Sequence, residues 1–411
     1  MRDPLTWLFA LEQFGIKFGL NNISRIVARL GHPERAFRSV HVAGTNGKGS
    51  VTAMVDAALR AAGHRAARYT SPHLVDLSER FVIDGRAVAG EALARAIAGV
   101  RDAIDGLRAD GGLEVQPTFF EVTTAVAFEL FRSAGVEVAV LEVGLGGRLD
   151  ATNVVSPPEL LATAITSIAF DHQLYLGSTL REIAIEKAGI IKRGVPVVVG
   201  AMAAEAAAAI DEVAASRGAP VVHTRASDSD GMTIGLAGAH QRANAAIAMR
   251  VLQVVDQRGV RIPPDAIAAG LAQPQWAARL ETRRFADGRE LLLDAAHNPA
   301  GAAALASYLE SEGGPPRPLV FAAMRDKDVA GMFAALLPAV GRLIVTRASN
   351  ARAADPQWLA EQARAAAPAL PIAIAAELGD ALDAAWRWSP RIVVAGSIFL
   401  LGDVIRHLGG S

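Results

Sequence analysis

The 411-residue sequence contains no cysteine. Disulfide bonds, thiolate metal sites and cysteine nucleophiles are therefore excluded together. The sequence also has no excess of charge, since 41 Lys and Arg residues face 42 Asp and Glu residues, for a formal net charge of −1. A nearly neutral chain has no general attraction to nucleic acid, so an anionic substrate must be held by local arginines and lysines.

Long apolar runs are absent as well. Hydrophobic residues make up 51% of the chain, but many are alanines, and no stretch of about twenty residues is apolar enough to span a bilayer. The sequence begins Met-Arg-Asp-Pro and lacks the apolar core and small-residue cleavage site of a secretory signal. We therefore expect a cytoplasmic protein with no membrane partner and no nucleic-acid partner.

Short β-rich runs alternate with longer Ala- and Leu-rich helical patterns almost from end to end. This alternation is typical of an α/β protein with parallel sheets covered by helices. Predicted strands lie at 40–42, 136–142, 160–168, 195–199, 290–294, 317–322, 342–346 and 391–395. A chain of this length favours two domains. The segment 273–279 has no strand pattern, and we place the boundary near residue 281, giving domains 1–281 and 282–411.

A glycine-rich segment at 42–50 reads Val-Ala-Gly-Thr-Asn-Gly-Lys-Gly-Ser, between a short apolar run and a long helical pattern. Its glycines allow backbone N–H groups to point at a phosphate, its lysine reaches the outer phosphates, and a following hydroxyl can hold magnesium. It departs from a standard Walker A sequence, with Val42 at a glycine position and Gly49 inserted before the hydroxyl. We predict a nucleoside triphosphate site formed by Gly44, Thr45, Asn46, Gly47, Lys48, Gly49 and Ser50.

Two further segments are candidates for metal ligation, because ligands bind at the carboxyl ends of parallel strands. Glu142 closes a strand apolar enough to be buried on both faces, and a lone buried carboxylate is costly. A metal ion is one partner for it, and a structural ion pair is the alternative. The turn 144–148, Gly-Leu-Gly-Gly-Arg, follows at once. Asp171 and His172 come after the predicted strand 160–168 and supply a second potential ligand at that edge.

Lys187 lies on a predicted helix that begins at Thr179, where Thr-Leu-Arg-Glu forms a capping-box pattern. Leu180, Ile183, Ala184 and Lys187 share one face at helical spacing, so the lysine belongs to the buried stripe. A buried amine tends to be neutral and can react with carbon dioxide to give a metal-binding carbamate. A lysine that extends to solvent and complements the helix dipole before Gly189 is an equally good interpretation.

The second half supplies polar residues of its own. Asp294 ends a predicted strand and is followed by Ala-Ala-His-Asn-Pro, so Asp294 and His297 are candidates for contact with a nucleotide ribose or phosphate. Asn244 is a candidate for an adenine contact, with a helix cap or a surface role as alternatives. Two closing domains would exclude water from a hydrolysable intermediate.

These motifs, in this order, resemble the folylpolyglutamate synthase/dihydrofolate synthase family of the Mur ligase superfamily over nearly the whole chain. The segments that carry the resemblance are 44–50, 70–74 (Thr-Ser-Pro-His-Leu), 142–153, 171–190, 240–244 and 396–400. The resemblance implies a P-loop NTPase-like parallel-sheet domain followed by a smaller Rossmann-like α/β domain. Two departures involve lost glycines: Ala277-Ala278 stands where Pro-Gly is common, and Ala295 follows Asp294.

The resemblance also implies roles for individual residues. Lys48, Lys187 and His172 would be catalytic, with Lys187 carbamylated. Two magnesium ions would be ligated by Ser50, Ser71, Glu142 and His172. ATP would be bound by residues 44–50 together with Asn244, Arg279, Asp294 and His297. Dihydropteroate or folate would contact Gly19, Leu20, Thr70, Thr118 and Asp150.

The activity implied is ATP-driven attachment of L-glutamate to 7,8-dihydropteroate or to reduced folates through an acyl phosphate. We expect a bifunctional enzyme, because the segment 118–121 and Asp150 look like the bifunctional bacterial type. The resemblance also implies a monomer. A peptidoglycan Mur ligase is the nearest alternative, although only about forty residues precede the glycine-rich segment, too few for a UDP-binding domain. A non-catalytic P-loop nucleotide switch is the second alternative.

Overall fold

The computed structural model describes residues 3–15 and 17–409, except for the side chain of Phe14. Met1 and Arg2, the start of the predicted first domain, lie outside the described residues, as does the end of the second domain at 410–411. The chain divides into two compact units. The first consists of Met1–Ile168, Thr179–Gly235 and Arg242–Gln275, and the second of Ala169–Ser178, Leu236–Gln241 and Trp276–Ser411.

The last passage between the units therefore falls at Gln275 and Trp276, slightly before the boundary expected near residue 281. Two short segments of the region 1–281 also group with the second unit. Hydrophobic periodicity indicates local structure, whereas membership of a unit depends on long-range contacts. The grouping of these two segments with the second unit therefore could not be predicted from the sequence pattern.

The first unit is built on an eight-stranded sheet. Its strands are β1 (Arg38–Ala43), β2 (Ala66–Tyr69), β3 (Phe81–Ile83), β4 (Arg86–Ala87), β5 (Val138–Glu142), β6 (Leu160–Ile165), β7 (Val197–Val199) and β8 (Val221–His223). They lie in the order β4-β3-β2-β5-β1-β6-β7-β8. Five neighbouring pairs in this order are parallel, namely β2-β5, β5-β1, β1-β6, β6-β7 and β7-β8. At one edge, β3 is antiparallel to β2, and β4 is antiparallel to β3.

Helices cover both faces of this sheet, as apolar strands buried on both sides require. In chain order the helices are α1 (Pro4–Phe9), α2 (Asn21–Arg29), α3 (Lys48–Ala61), α4 (Gly90–Ala109), α5 (Phe119–Ser133), α6 (Gln173–Leu176, in the second unit), α7 (Leu180–Ala188), α8 (Ala204–Ser216), α9 (His240–Gln257) and α10 (Pro264–Ala272). A large apolar core lies between the sheet and α1, α2, α4 and α5. The Phe37 ring packs there against Phe128 and Phe131, with ring centroids 6.1 and 5.7 Å apart.

The second unit has a six-stranded sheet in the order β13-β12-β11-β14-β10-β9. Its strands are β9 (Glu281–Arg284), β10 (Glu290–Leu293), β11 (Pro318–Phe321), β12 (Arg342–Val345), β13 (Ile372–Ile374) and β14 (Arg391–Ala395). Only β9 runs antiparallel to its neighbour among the described pairs. Its remaining helices are α11 (Pro299–Glu312), α12 (Val329–Leu336), α13 (Pro356–Ala366), α14 (Leu378–Trp388) and α15 (Ile398–Gly409).

Both units are thus α/β structures with mainly parallel sheets, and the fold class predicted from the sequence is confirmed. In the described part of the chain, no helix combines the length and the apolar character needed to cross a membrane.

Candidate nucleotide and metal site

The glycine-rich segment connects β1 to α3 and places its lysine at the first residue of the helix. Gly47 adopts a left-handed conformation with φ of 88°, which turns the chain into α3. The Lys48 ammonium donates to the carbonyl oxygens of Gly44 and Thr45, each at 3.1 Å. Ser50 lies in the first turn and is only 1% exposed. A strand, a curled loop and a helix N-terminus form the arrangement that binds phosphates.

Two residues that follow β6, Thr166 and Ser167, hold the loop through hydrogen bonds. The backbone N–H of Thr45 donates to the carbonyl oxygen of Ser167 at 2.7 Å. The carbonyl oxygen of Asn46 accepts from the hydroxyls of Thr166, at 2.6 Å, and Ser167, at 3.1 Å. Sequence analysis did not identify Thr166 or Ser167, because hydroxyls after a strand have no distinctive spacing. They fix the loop's shape before any ligand binds.

Asn244 lies directly against the loop. A β-carbon placed on Gly47 would fall 2.3 Å from Asn244 Oδ1, much closer than a β-carbon approaches an atom to which it is not bonded. Asn244 belongs to α9 and is 8% exposed. The structure therefore brings this predicted ATP contact to the predicted phosphate loop, and only glycine leaves room for its amide there.

Lys187 also reaches the loop. Its helix begins as predicted, with Thr179 and Glu182 forming a capping box at the start of α7. Lys187 is 5% exposed, and its Nζ donates to the carbonyl oxygen of Gly44 at 3.0 Å. The prediction that this lysine lies on the buried face of the helix is confirmed, and the alternative of a lysine extended to solvent is wrong. The hydrogen bond to the loop and the packing around the side chain offset the cost of removing the ammonium group from water.

The turn that follows β5 holds the last turn of α7 in place. A β-carbon on Gly147 would lie 2.7 Å from the carbonyl oxygen of Lys187, so this turn packs against helix backbone. The N–H of Arg148 donates to the carbonyl oxygen of Glu186 at 2.8 Å, and its guanidinium pairs with the Glu186 carboxylate. The segment 144–148 therefore positions the helix that carries Lys187.

Glu142 and Ser71 meet at the same edge of the sheet. Glu142 is the last residue of β5 and pairs with Val42 of β1, while Tyr69 of β2 lies opposite Leu141. The N–H of Ser71 donates to Glu142 Oε2 at 3.4 Å. The carboxyl ends of β1, β2 and β5 thus place Ser71 and Glu142 beside the strand that enters the phosphate loop.

This set of oxygen donors fits magnesium. Mg²⁺ is usually bound by one or two carboxylates together with waters and substrate phosphates, rather than by an all-protein cage. Glu142 would supply one carboxylate, and Ser50 and Ser71 would supply hydroxyls. Among the residues that the structure describes, no group of three or more His, Asp or Glu side chains is arranged to hold a metal ion. In such a site, oxygens of the substrate phosphates would complete the coordination.

Part of the predicted substrate site also comes together in the first unit. Gly19, Asn22 and Glu121 line a cavity of about 160 Å³. Thr118 caps α5, where its hydroxyl and backbone N–H donate to the Glu121 carboxylate at 3.0 and 2.7 Å. Leu20 is the residue immediately before α2. The predicted residues near 19–20 and 118–121 are thus neighbours in space.

Asp150 has a structural use in addition to any contact with substrate. Its carboxylate accepts from the N–H groups of Leu145, at 2.9 Å, and Thr152, at 3.0 Å, and from the Thr152 hydroxyl. Burial raises the pKa of Asp150, although these hydrogen bonds act in the opposite direction. The Thr152 hydroxyl is also within 2.8 Å of His41 Nε2. Asp150 thereby closes the glycine-rich turn, and its contact with substrate stays a prediction.

His172 lies in the second unit, in a polar cluster around Asp171. Lys327 Nζ is 2.6 Å from Asp171 Oδ1 and 3.4 Å from His172 Nε2, and Asn298 Nδ2 donates to Asp171 Oδ2 at 3.2 Å. His297 Nε2 is 3.6 Å from the same oxygen. Burial alone would raise the pKa of Asp171, but the hydrogen bond from His297 and the charge of Lys327 hold it well below its usual range.

The structure thus brings His172 and His297 together, and adds Lys327, which sequence analysis missed. A lysine in Arg-Asp-Lys-Asp after β11 resembles ordinary surface sequence, so no local signal marks it. Participation of His172 in one metal site with Ser50 and Glu142 stays a prediction.

Arg279 and Asp294 are neighbours within the second unit. The Asp294 carboxylate accepts from the N–H groups of Leu280, at 3.0 Å, and Ala296, at 2.9 Å. Burial raises the pKa of Asp294, while the nearby Arg279 guanidinium acts in the opposite direction. Ala278 and Leu280, on either side of Arg279, have left-handed backbone conformations with φ of 56° and 50°. The backbone at 278 therefore has the conformation that a glycine would favour.

Comparisons with known proteins decide the family. The model for the Mur ligase glutamate ligase domain matches residues 278–398. A dihydrofolate synthase/folylpolyglutamate synthase of Bacillus subtilis is 35% identical over 356 residues, which cover 80% of this chain and 81% of the relative. The chain belongs to the folylpolyglutamate synthase/dihydrofolate synthase family. This family of ATP-dependent glutamate ligases is the one that the sequence motifs resemble, and that identification is confirmed.

Solved structures of folylpolyglutamate synthases have the same fold. That of Mycobacterium tuberculosis, complexed with ADP and AMPPCP, has a TM-score of 0.88 and 34% identity, and the match covers 100% of this chain and 99% of that one. A bifunctional folylpolyglutamate synthase/dihydrofolate synthase with Mn, AMPPNP and L-glutamate bound has a TM-score of 0.86 and 29% identity, covering 100% and 98%.

One relative is much longer than this chain. It is a probable bifunctional folylpolyglutamate synthase/dihydropteroate synthase of Haloferax volcanii, 37% identical over 385 residues. The match covers 87% of this chain but only 44% of that relative.

Proposed function

We propose that this chain catalyses the ATP-dependent joining of L-glutamate to the carboxylate of 7,8-dihydropteroate and of reduced folates. The observation that carries the proposal is the hydrogen bond from Lys187 Nζ to the Gly44 carbonyl oxygen, which brings a buried amine to the predicted phosphate loop. A protein that only binds and releases nucleotides does not require a buried amine at this position. The family membership and the nucleotide complexes of related structures support the same conclusion.

The reaction proceeds in two displacements. An oxygen of the acceptor carboxylate attacks the γ-phosphorus of ATP, the bond to the β-phosphate oxygen breaks, and an acyl phosphate and ADP result. The neutral amine of glutamate then attacks the acyl carbon, the carbon–oxygen bond to phosphate breaks, and the amine loses a proton as the amide forms. No covalent enzyme intermediate is required, so a chain without cysteine can carry out the whole sequence.

Residues of the first unit have distinct tasks in this scheme. Lys48, at the N-terminus of α3, stabilises the negative charge that develops as the phosphoryl group is transferred. Ser50, Ser71 and Glu142 would hold magnesium, which offsets the repulsion between the carboxylate and the triphosphate. Asn244 lies against Gly47 and would orient the nucleotide.

Lys187 has a separate role. In its neutral form, Nζ attacks the carbon of carbon dioxide and loses a proton, so the cationic side chain becomes an anionic carbamate. We propose this modification because the side chain is buried and lies against the phosphate loop. An anion there would add an oxygen ligand for a divalent cation close to Ser50 and Glu142.

We assign the substrates to the two parts of the chain as follows. Residues 1–281 would bind ATP and the pterin or folate, and residues 282–411 would form the glutamate side. The match of 278–398 to a glutamate ligase domain supports the second assignment. The cavity beside Gly19 and Glu121 supports the first. We also propose that the enzyme acts as a monomer.

Both folate activities are proposed, since the Bacillus subtilis relative is named for both. The test is phosphate release by the purified chain with ATP, Mg²⁺ and glutamate, compared for 7,8-dihydropteroate, tetrahydrofolate and no acceptor. The proposal predicts release with both acceptors and little without one. Release with one acceptor alone would reduce the assignment to a single activity. ATP hydrolysis at a rate that depends on neither glutamate nor the acceptor would indicate a nucleotide switch and overturn the proposal.

A further inference from the structure

Arg80 is a buried arginine to which the reaction proposed above assigns no role. It is the last residue of the short helix Leu77–Arg80, directly before β3, and its side chain is 7% exposed. Burial lowers the pKa of the Arg80 guanidinium below its usual range. A buried charge is costly unless an opposite charge accompanies it.

The partners of Arg80 are neutral. Its Nε donates to His73 Nδ1 at 2.9 Å, and its guanidinium carbon lies 5.2 Å above the centre of the Phe119 ring. A side-chain hydrogen bond also joins it to Tyr69, and within residues 3–15 and 17–409 its charge is influenced by Glu12 and Glu142 only from beyond ion-pair distance. Because Nδ1 of His73 accepts this hydrogen bond, that nitrogen carries no proton. The other buried arginines of the first unit differ: Arg68 pairs with Asp56, and Arg101 with Asp102.

The position of Arg80 is next to the predicted chemistry. Its carbonyl oxygen accepts from the N–H of Thr70, and Ser71, the next residue, donates to Glu142. Glu142 and Glu12 are near enough to favour the charged guanidinium without contacting it in an ion pair. Phe119, which the guanidinium covers, follows the predicted substrate residue Thr118.

There is also room for a ligand on this side. His73 and Phe9 line a cavity of about 510 Å³, and the Phe9 ring stacks on Phe119 at 5.9 Å. Arg80 itself contacts Phe119 and His73, and through His73 and the Phe9–Phe119 stack it lies next to residues that line this cavity. An aryl carboxylate would supply the charge that this group lacks, and aromatic surface beside it would be matched by Phe9 and Phe119.

We propose that Arg80 binds a carboxylate of the pterin-containing acceptor and so delivers it to the edge where Ser71 and Glu142 lie. This inference rests on the proposed function. It assigns to Arg80 a binding role that is selective for acid over amide, beyond any contribution to the local structure. A guanidinium hydrogen bond to a carboxylate has the strength and geometry for such selection.

The experiment is a four-way binding cycle with two proteins and two probes. Wild type and Arg80→Gln are titrated with pteroate and with its carboxamide, in which the charge is removed and the rings are kept. Wild type is expected to bind pteroate about 10- to 100-fold more tightly than the amide, and the variant to bind both as weakly as wild type binds the amide. Equal loss for both probes, or no loss, would overturn the inference.

Controls separate this role from a structural one. Arg101→Gln removes another buried arginine of the first unit and is expected to leave the acid preference intact. Arg80→Lys keeps the charge and is expected to keep part of the preference. If both Arg80 variants fail to fold, a crystal structure of the wild-type protein with pteroate takes their place. A pteroate carboxylate within hydrogen-bond distance of the Arg80 guanidinium supports the inference, and a carboxylate bound elsewhere overturns it.

The outcome also distinguishes this inference from the proposed function. A wild-type enzyme that forms the glutamate amide but shows no Arg80-dependent preference would refute only the inference. A wild-type chain that neither binds pteroate nor forms the amide would refute the proposed function itself.

Discussion

Lys187 Nζ donates a hydrogen bond to the carbonyl oxygen of Gly44 at 3.0 Å, although 143 positions separate the two residues in the sequence. The contact joins the last turn of α7 to the loop before α3, where Lys48 donates to the same carbonyl oxygen. Two amines therefore converge on one backbone oxygen at the predicted triphosphate site. Their roles are expected to differ, because Lys48 would bind phosphate and Lys187 would react to become a metal ligand.

Replacing Lys187 by alanine tests its role. We expect Lys187→Ala to retain ATP affinity, measured by calorimetry, but to lose most glutamate incorporation, since the anionic carbamate can no longer form. Added formate or acetate is expected to restore part of the activity by filling the vacated space with a carboxylate. Lys192→Ala is the matched control, because Lys192 lies on the next segment and donates to the Asn153 carbonyl oxygen. Full activity in Lys187→Ala would remove the carbamate from the account.

Lys48 is expected to act on the nucleotide itself. Lys48→Ala should weaken ATP binding by about tenfold or more, because a charge-assisted contact to the outer phosphates is lost. AMP binding should change much less, since AMP lacks those phosphates. Calorimetric titration with each nucleotide measures both effects. Unchanged ATP affinity would contradict the phosphate-loop assignment.

The ion pair between Asp171 and Lys327 is expected to stabilise the second unit. Both side chains are about nine-tenths buried and 2.6 Å apart. Asp171→Asn and Lys327→Met should each lower the free energy of unfolding by about 3 kcal/mol, because each leaves a buried charge without its partner. The double variant should lose less than the sum of the single losses. Urea unfolding gives all four values, and strict additivity would show that the pair is not coupled.

The same carboxylate gives a pH dependence. Because the pKa of Asp171 is lowered in the folded protein, its stabilising contribution is complete above the unfolded pKa of about 3.9 and is lost as the pH falls through that value toward the folded pKa. We expect wild type to lose more stability than Asp171→Asn between about pH 5 and pH 3. If the free energies of unfolding of the two proteins changed with pH in parallel, the lowered pKa of Asp171 would be contradicted.

Features of the fold and of the candidate site could be predicted from the sequence where they depend on interactions between residues close together in the chain. The capping box at Thr179 and the helical spacing to Lys187 are local patterns, and both predicted the helix and its buried face correctly. All eight predicted strands are present, because buried parallel strands are continuous apolar runs. The described strands that were not predicted are β2, β3, β4, β8, β9 and β13. Each is only two to four residues long, and β4, β8, β9 and β13 are also partly exposed, so none of them forms a clear apolar run.

Long-range packing could not be predicted in the same way. Nothing in the spacing of Asp171 and Lys327 indicates an ion pair, because their contact depends on how the segment Ala169–Ser178 joins the second unit. The burial of Arg80 without an acidic partner is equally invisible, since arginine is usually exposed. The roles of Asn244, Glu142 and Lys187 in a common site were suggested by the family resemblance, not by periodicity.

The backbone at Ala278 leads to a prediction about the linker. Alanine at φ 56° is strained by about 1 kcal/mol, whereas glycine is not. Glycine loses about 0.5–1 kcal/mol through the entropy of the unfolded chain, so Ala278→Gly should leave stability unchanged or slightly raised. Ala277→Gly, at a neighbouring position without a positive φ, should lose stability. Urea unfolding compares the two, and a larger loss at 278 than at 277 would contradict the strain.

In the proposed reaction, an acceptor carboxylate takes up the γ-phosphoryl group of ATP before the glutamate amine displaces phosphate from the acyl carbon. The most direct measurement uses 7,8-dihydropteroate labelled with ¹⁸O in its carboxylate, with ATP, Mg²⁺ and glutamate. We expect one ¹⁸O atom in each phosphate released, and an amide product that retains the other ¹⁸O atom. Product formation with unlabelled phosphate would contradict the acyl phosphate, and the absence of any glutamate-dependent product would contradict the ligase assignment.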